Sequence, residues 1–371
     1  MTVSEKVKFT AQKKLLALDG GGVRGVITLQ VLARFEHILR ETKAEGNPDF
    51  RLAHYFDYIG GTSTGAIIAA ALSMGMSVAD ISHFYYTSAI QMFSRAGYLQ
   101  RFRYKYVDER ISAQLKSVFG LETTLGSDKI QTLLMMVLRN ATTDSPWPIS
   151  NNPYAKYNDR TIPDCNLELP LWQLIRASTA APTYFPPELV HIGQQEFLFV
   201  DGGVTTYNNP AFQLFLMATL APYRLKWPTG EDKLLLVSVG TGTTPLPKET
   251  LRAEEMTLLY NAGCIPDALM FASLNEQDFL CRAFGDCLAG PLLDSEVGDM
   301  KGDRSFGASK LFTYIRYNAE LSEKGLSSLG LSGIRPDDVR PLDSIDHIEE
   351  LKQVGEAVAD TQVRADHFDA F

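Results

Sequence analysis

Short apolar runs that end in glycine-rich turns alternate along the chain with stretches of helical period, a pattern that predicts a mainly parallel sheet covered by helices. Residues 15–18 read as a buried strand and residues 19–25 as a turn. Val26, Leu29, Leu32, Phe35, Ile38 and Leu39 then fall on one face of a helix. The unit repeats, with a strand over 55–60, a tight turn over 61–65 and a helix over 66–76 that is apolar enough to be covered on most sides. Further strands are expected at 133–138, 197–200 and 234–239. Residues 145–170 hold Pro146, Pro148, Pro153 and Pro163 among many Asn and Asp residues, and read as a long irregular loop. A terminal helix over 343–355 carries Ile345, Ile348, Leu351 and Val354 at helical spacing, and the polar residues after it are expected to fray. The stretch 227–232 is the best candidate for a linker, but it separates no two cores cleanly.

Composition narrows the field without naming a chemistry. The 371 residues are 45% hydrophobic and 21% charged, with a formal net charge of −9, figures of a globular protein that exclude disordered and collagen-like readings. An acidic chain repels a phosphate backbone, so no nucleic-acid partner is expected. No apolar run reaches the roughly 18 residues that a membrane span needs. Lys6, Lys8, Lys13 and Lys14 are followed only by the short run 15–18 before Asp19, which is no signal-peptide core, so a cytoplasmic location is expected. Cys165, Cys264, Cys281 and Cys287 form no Cys-x-x-Cys pair, and the scattered histidines have no ligand spacing, so no metal and no cofactor is expected.

The sharpest chemical signal is Gly61-Thr62-Ser63-Thr64-Gly65, a G-x-S-x-G set between an expected strand and an expected helix. Glycines two positions either side of Ser63 leave room for the chain to fold back, and the helix N-terminus beneath favours developing negative charge. The alternative is that Ser63 simply caps the helix. A second signal is Asp19-Gly20-Gly21-Gly22-Val23-Arg24-Gly25. Gly20 to Gly25 satisfy G-x-G-x-x-G, yet no later strand ends in the acidic residue that would hold a ribose. The same geometry serves as an oxyanion hole, with the N–H groups of Gly21 and Gly22 aimed at an anionic oxygen. Arg24 either steadies this loop, draws in an anionic head group, or is a surface arginine paired with a carboxylate.

A serine of this kind needs a base, and none of His83, His191, His347 and His367 lies at the end of an expected strand beside a glycine turn. The strand at 197–200 does end that way, in Asp201-Gly202-Gly203. Asp201 is therefore the expected base, acting directly on Ser63, with burial raising its pKa into a useful range; read alone, it is a turn aspartate. Asn209 and Pro210 read as the cap and first residue of a helix over 210–220. From Phe93 to Tyr106, aromatics alternate with Arg95, Arg101, Arg103 and Lys105. This is a patch that meets a lipid interface, a nucleotide or RNA contact, or, most commonly for such a pattern, an extended segment with one packed face.

Glycine-rich loop, serine elbow and Asp-Gly-Gly, in this order and each at a strand end, resemble the patatin-like phospholipases. Residues 55–60 leading into the elbow and the run 176–187 are also similar to family segments, and residues 239–242 and the terminal helix more weakly so. The resemblance implies a three-layer α/β/α fold in one domain over 1–371, with a catalytic core over 14–215 and a C-terminal part over 233–371 that completes it. It further implies calcium-independent hydrolysis of acyl esters of phospholipids or galactolipids at a membrane surface. In that reading Ser63 is the nucleophile, Asp201 the base, and Gly20, Gly21 and Gly22 the oxyanion hole; Arg24, Gly25, Gly61, Gly65, Gly202 and Gly203 support the motifs. Some bacterial members are effectors switched on by a cyclic nucleotide during phage infection, which extends the expectation to a small nucleotide activator. The readings that compete with it are a non-catalytic storage protein, a nucleotide-binding module and a Ser-His-Asp esterase using His191.

Overall fold

The computed structural model describes residues 2–92, 108–243, 252, 254, 256–307 and 309–371. The strands are β1 (Lys13–Leu18), β2 (Tyr58–Thr62), β3 (Leu133–Asn140), β4 (Ser145–Ser150), β5 (Glu188–Ile192), β6 (Gln195–Asp201), β7 (Leu234–Val239), β8 (Asp286–Ala289) and β9 (Thr313–Tyr317). The helices are α1 (Val3–Lys6), α2 (Gly25–Lys43), α3 (Leu52–Tyr55), α4 (Thr64–Ser73), α5 (Val78–Met92), α6 (Asp108–Phe119), α7 (Leu171–Ser178), α8 (Ala211–Thr219), α9 (Leu258–Phe284), α10 (Glu323–Ser328), α11 (Pro336–Val339) and α12 (Ile348–Gln362).

All the strands join one sheet. Parallel pairing runs β3-β2-β1-β7-β9-β8, while β4 and β6 pair antiparallel with β3 and β5 pairs antiparallel with β6. Side chains alternate across it with the period of two that a pleated strand imposes. Leu16 and Leu18 of β1, Leu134, Met136 and Leu138 of β3 and Leu235, Val237 and Val239 of β7 enter one core with α2, α4, α5, α7 and α12. Leu15 and Ala17, Leu133, Met135 and Val137, and Leu234 and Leu236 enter the other with α8 and the end of α9. Two cores on opposite faces of one sheet make a three-layer α/β/α fold. Helix α4 is buried along all its length, which explains why its sequence has no polar face.

Several expectations shift. The strand expected over 55–60 begins only at Tyr58, because residues Leu52–Tyr55 form one helical turn. Residues 145–150 are strand β4 rather than loop. Pro146 and Pro148 are two apart, so their missing N–H groups fall on the same edge, away from β3, and the ladder to β3 keeps its donors. The terminal helix starts at Ile348, after a 3-10 turn at Ile345–His347, and continues to Gln362 because Val358 and Ala359 prolong the buried stripe of Leu351 and Val354. The tail after it does not fray: Phe368 is fully buried, edge-on to Phe35 and Tyr55. Trp227 is likewise anchored, its indole N–H donating to the Val7 carbonyl at 3.0 Å. The aromatic and basic run 93–106 lies outside the described residues. No helix among the described residues is long and apolar enough to cross a membrane.

Candidate active site

Ser63 sits where β2 turns into α4, with φ 54° and ψ −123°, a backbone conformation that costs a non-glycine residue energy and persists only when its surroundings impose it. They do so by close approach. A Cβ on Gly61 would stand 2.1 Å from the Gly65 carbonyl oxygen, and one on Gly65 would stand 2.2 Å from that of Leu18. The Ser63 N–H donates to Ser178 Oγ at 3.0 Å, and that hydroxyl donates to the Val137 carbonyl at 2.7 Å, tying the elbow to β3. Ser63 makes no side-chain cap on α4, so the capping alternative fails. Its Oγ instead donates to Asp201 Oδ2 at 2.6 Å.

The sheet register brings the two together. Thr62 pairs with Val137, and Asp201 pairs with Leu138, the next residue of β3. Because β4 occupies the other edge of β3 along these residues, β2 ends and β6 ends at adjacent positions on one edge. Asp201 is 4% exposed; its Oδ1 accepts the Gly203 N–H at 2.6 Å. Burial pushes its carboxyl up to about 6, opposed by the hydrogen bonds from Ser63 and Gly203 and by the charge of Arg176. A Cβ on Gly202 would meet the Val137 carbonyl oxygen at 2.2 Å, so the turn after Asp201 also lies hard against β3.

The glycine loop after β1 can be accounted for group by group. The Gly20 N–H donates to the Asn208 carbonyl at 3.1 Å, and the Gly20 carbonyl accepts from Thr241 Oγ1 at 2.8 Å. The Gly21 carbonyl accepts from Arg24 N at 3.2 Å. The Gly22 carbonyl accepts from Thr64 Oγ1 at 2.7 Å, from the Tyr85 hydroxyl and from Gly25 N. Gly22 has φ +58°, and a Cβ there would stand 2.2 Å from the Leu342 carbonyl oxygen, the same oxygen that accepts Val23 N at 2.8 Å. The N–H groups of Gly21 and Gly22 have no acceptor among the described residues. Gly20 was expected to share in an oxyanion hole, but its own N–H is committed to Asn208, which leaves two donors rather than three.

Asp19, at the head of the loop, is fully buried and takes both arms of Arg316 from β9, at 2.9 and 2.5 Å. Arg316 also donates to Ser238 Oγ at 2.7 Å. Burial pushes the Asp19 carboxyl above the usual carboxylate range, opposed by the charge and hydrogen bonds of Arg316.

These elements enclose a cavity of about 500 Å³ with Ser63, Asp201 and Gly20 to Gly22 on its wall and an apolar remainder that includes Ile67, Tyr184, Phe185, Met270 and Leu342. Arg24 is 8% exposed and lines it, so it is no surface arginine. No histidine lines it among the described residues; His191 faces solvent on β5, its side chain 65% exposed beside Glu196. Asn209 Oδ1 accepts from Ala211 N at 3.1 Å, although α8 begins one residue later than expected, after Pro210. Residues that the motifs did not mark are Ser178, Thr241, Tyr85, Arg316 and Asn208. Ser178 and Thr241 were within reach, since they fall in the runs 176–187 and 239–242; Tyr85 and Asn208 act through backbone groups far away in sequence, and Arg316 through the distant side chains of Asp19 and Ser238.

Fold and site define an α/β/α protein with a serine elbow facing a buried aspartate. The family model for patatin-like phospholipases matches residues 16–215, and the chain belongs to that family. It is 32% identical over 259 residues to Patatin-17 of Solanum cardiophyllum, covering 65% of this chain and 63% of the relative. It is also 32% identical over 261 residues to Patatin-T5 of Solanum tuberosum, again covering 65% of this chain and 63% of the relative. The chain thus spans less than two thirds of the length of these relatives. Among solved structures, VipD from Legionella pneumophila superposes with a TM-score of 0.36 at 14% identity, over 92% of this chain and 67% of that one.

Proposed function

We propose that this protein is a lipid acyl hydrolase that cleaves carboxylic ester bonds of membrane phospholipids through a Ser63–Asp201 dyad. The observation that carries this reading is the 2.6 Å hydrogen bond from Ser63 Oγ to a buried carboxylate in an apolar cavity. Ser63 Oγ attacks the ester carbonyl carbon as its proton passes to Asp201, and the oxygen that becomes anionic accepts the free N–H groups of Gly21 and Gly22. Collapse breaks the bond to the alkoxy oxygen, which departs with the proton from Asp201. Water then attacks the acyl-Ser63 ester, gives a proton to Asp201, and the acid leaves as Ser63 regains its hydrogen.

A carboxyl of ordinary strength is a poor acceptor for a hydroxyl proton, and the upward shift of Asp201 narrows that gap. The apolar wall suits an acyl chain, and the substrate is reached from a membrane surface by transient contact. Supports for the glycine loop at Thr241, Arg316 and Leu342 come from beyond residue 233, which favours a single catalytic unit over 1–371. The decisive experiment measures Ser63→Ala and Asp201→Asn on vesicles of phosphatidylcholine or galactolipid, with fluorophosphonate labelling of Ser63. Each variant is expected to lose at least about 10³-fold in kcat/KM. Wild-type hydrolysis in both would refute the dyad.

A further inference from the structure

Asn208 is 6% exposed and lines the cavity beside Ser63 and Asp201. Its main-chain carbonyl holds the Gly20 N–H, but its carboxamide has no hydrogen-bond partner among the described residues. Its polar atoms are not sealed off but open into the cavity, where a ligand group can complete them. Its position is well defined. A Cβ on Gly20 would stand 2.4 Å from Asn208 Oδ1, and one on Gly203 would stand 3.0 Å from it and 3.0 Å from Asp201 Oδ1. The carboxamide is therefore wedged between the glycine loop and the turn that holds the dyad carboxylate.

We infer that Asn208 is a further catalytic residue, whose carboxamide hydrogen-bonds the alkoxy oxygen of the bound ester and then the water that replaces it. The inference rests on the dyad reading. The carbonyl oxygen of the ester already has the Gly21 and Gly22 donors, whereas the alkoxy oxygen and the water exchange protons with Asp201, whose carboxylate borders the same Gly203 turn as the Asn208 carboxamide. In acylation the Ser63 Oγ–C bond forms, the C–O alkoxy bond breaks, and one proton travels from Ser63 to Asp201 to the alcohol. In deacylation the water O–C bond forms, the C–Oγ bond breaks, and the proton returns through Asp201 to Ser63. An amide serves both steps, since its Nδ2–H donates to either oxygen and its Oδ1 accepts the second hydrogen of the water.

The test compares wild type with Asn208→Ala and the near-isosteric Asn208→Asp, neither of which removes the main-chain bond to Gly20. Substrates are a soluble short-chain phosphatidylcholine, whose alkoxide must be protonated to leave, and the p-nitrophenyl ester of the same acid, whose phenolate leaves without a proton. For the phospholipid, kcat is expected to fall about 100-fold with KM within about threefold. On the nitrophenyl ester the first-turnover burst should persist within about threefold, followed by a slow steady state as deacylation lags. Equal losses in the burst and the phospholipid rate, or no loss in either, would overturn the inference. An unfolding transition like that of wild type keeps the comparison valid for at least one variant. Wild type inactive on both esters would instead overturn the dyad reading, and this inference with it.

Discussion

Asp19 directly follows β1 and Asp201 ends β6 of the same sheet, and both are removed from water, yet their partners differ in one respect. Asp19 meets a guanidinium that returns two charged hydrogen bonds. Asp201 meets a hydroxyl and one backbone N–H, and the nearest cation to influence it, Arg176, acts as the weakest of the causes on it. A buried carboxylate with a counter-ion is a strut. Without one it stays eager for a proton, and a proton donor is placed against it. Location in the sheet does not separate the two; the charge of the neighbour does.

Substituting asparagine at each position tests that contrast. In Asp201→Asn the largest effect is kinetic, a fall of about 10³–10⁴-fold in kcat/KM for ester hydrolysis, read by initial rates. For Asp19→Asn the largest effect is on stability. It strands the Arg316 charge in the core, and a loss of about 3–5 kcal/mol in denaturant unfolding is expected.

Stability should move the other way for Asp201→Asn. The native state holds the Asp201 proton more tightly than the unfolded chain, so stability falls as pH rises from the ordinary 3.8 to about 6. The amide removes that loss, keeps the Gly203 bond through its oxygen and donates to Ser63 Oγ. A gain of about 1–3 kcal/mol is expected at pH 7 and none at pH 3, measured by unfolding at both values. The smallest effect is the acid limb of the wild-type rate profile. If Asp201 is the base, as proposed, it must be ionised, and kcat/KM should rise with pH through a midpoint near 6. A limb near 4, the ordinary carboxylate range, would show that burial does not raise Asp201 as the geometry requires.

Much of this architecture was legible in local pattern. Strand β7 was bounded to the residue, and the six apolar positions of α2 are all buried. Ser63 and Asp201 were legible because an elbow and an Asp-Gly-Gly turn leave glycines at fixed offsets. What stayed hidden depends on register. Nothing local says that Asp201 pairs with Leu138 one residue beyond the partner of Thr62, or that the Gly20 N–H is answered by Asn208. Strand β4 was masked by composition, since proline argues against a strand unless its spacing is read along with its number. Phe368 was masked the same way by polar neighbours such as Asp366 and His367.

The hydrogen bond between Ser63 and Asp201 joins residues 138 apart, and the strand that aligns them, β3, lies between the two in the chain. Such a contact forms late, because the loop it closes is long and its template must be laid down first. A chain still leaving the ribosome has the elbow long before it has Asp201. Under the proposed dyad, a form that stops short of residue 201 has the serine elbow without its carboxylate and is expected to lack the hydrolase chemistry.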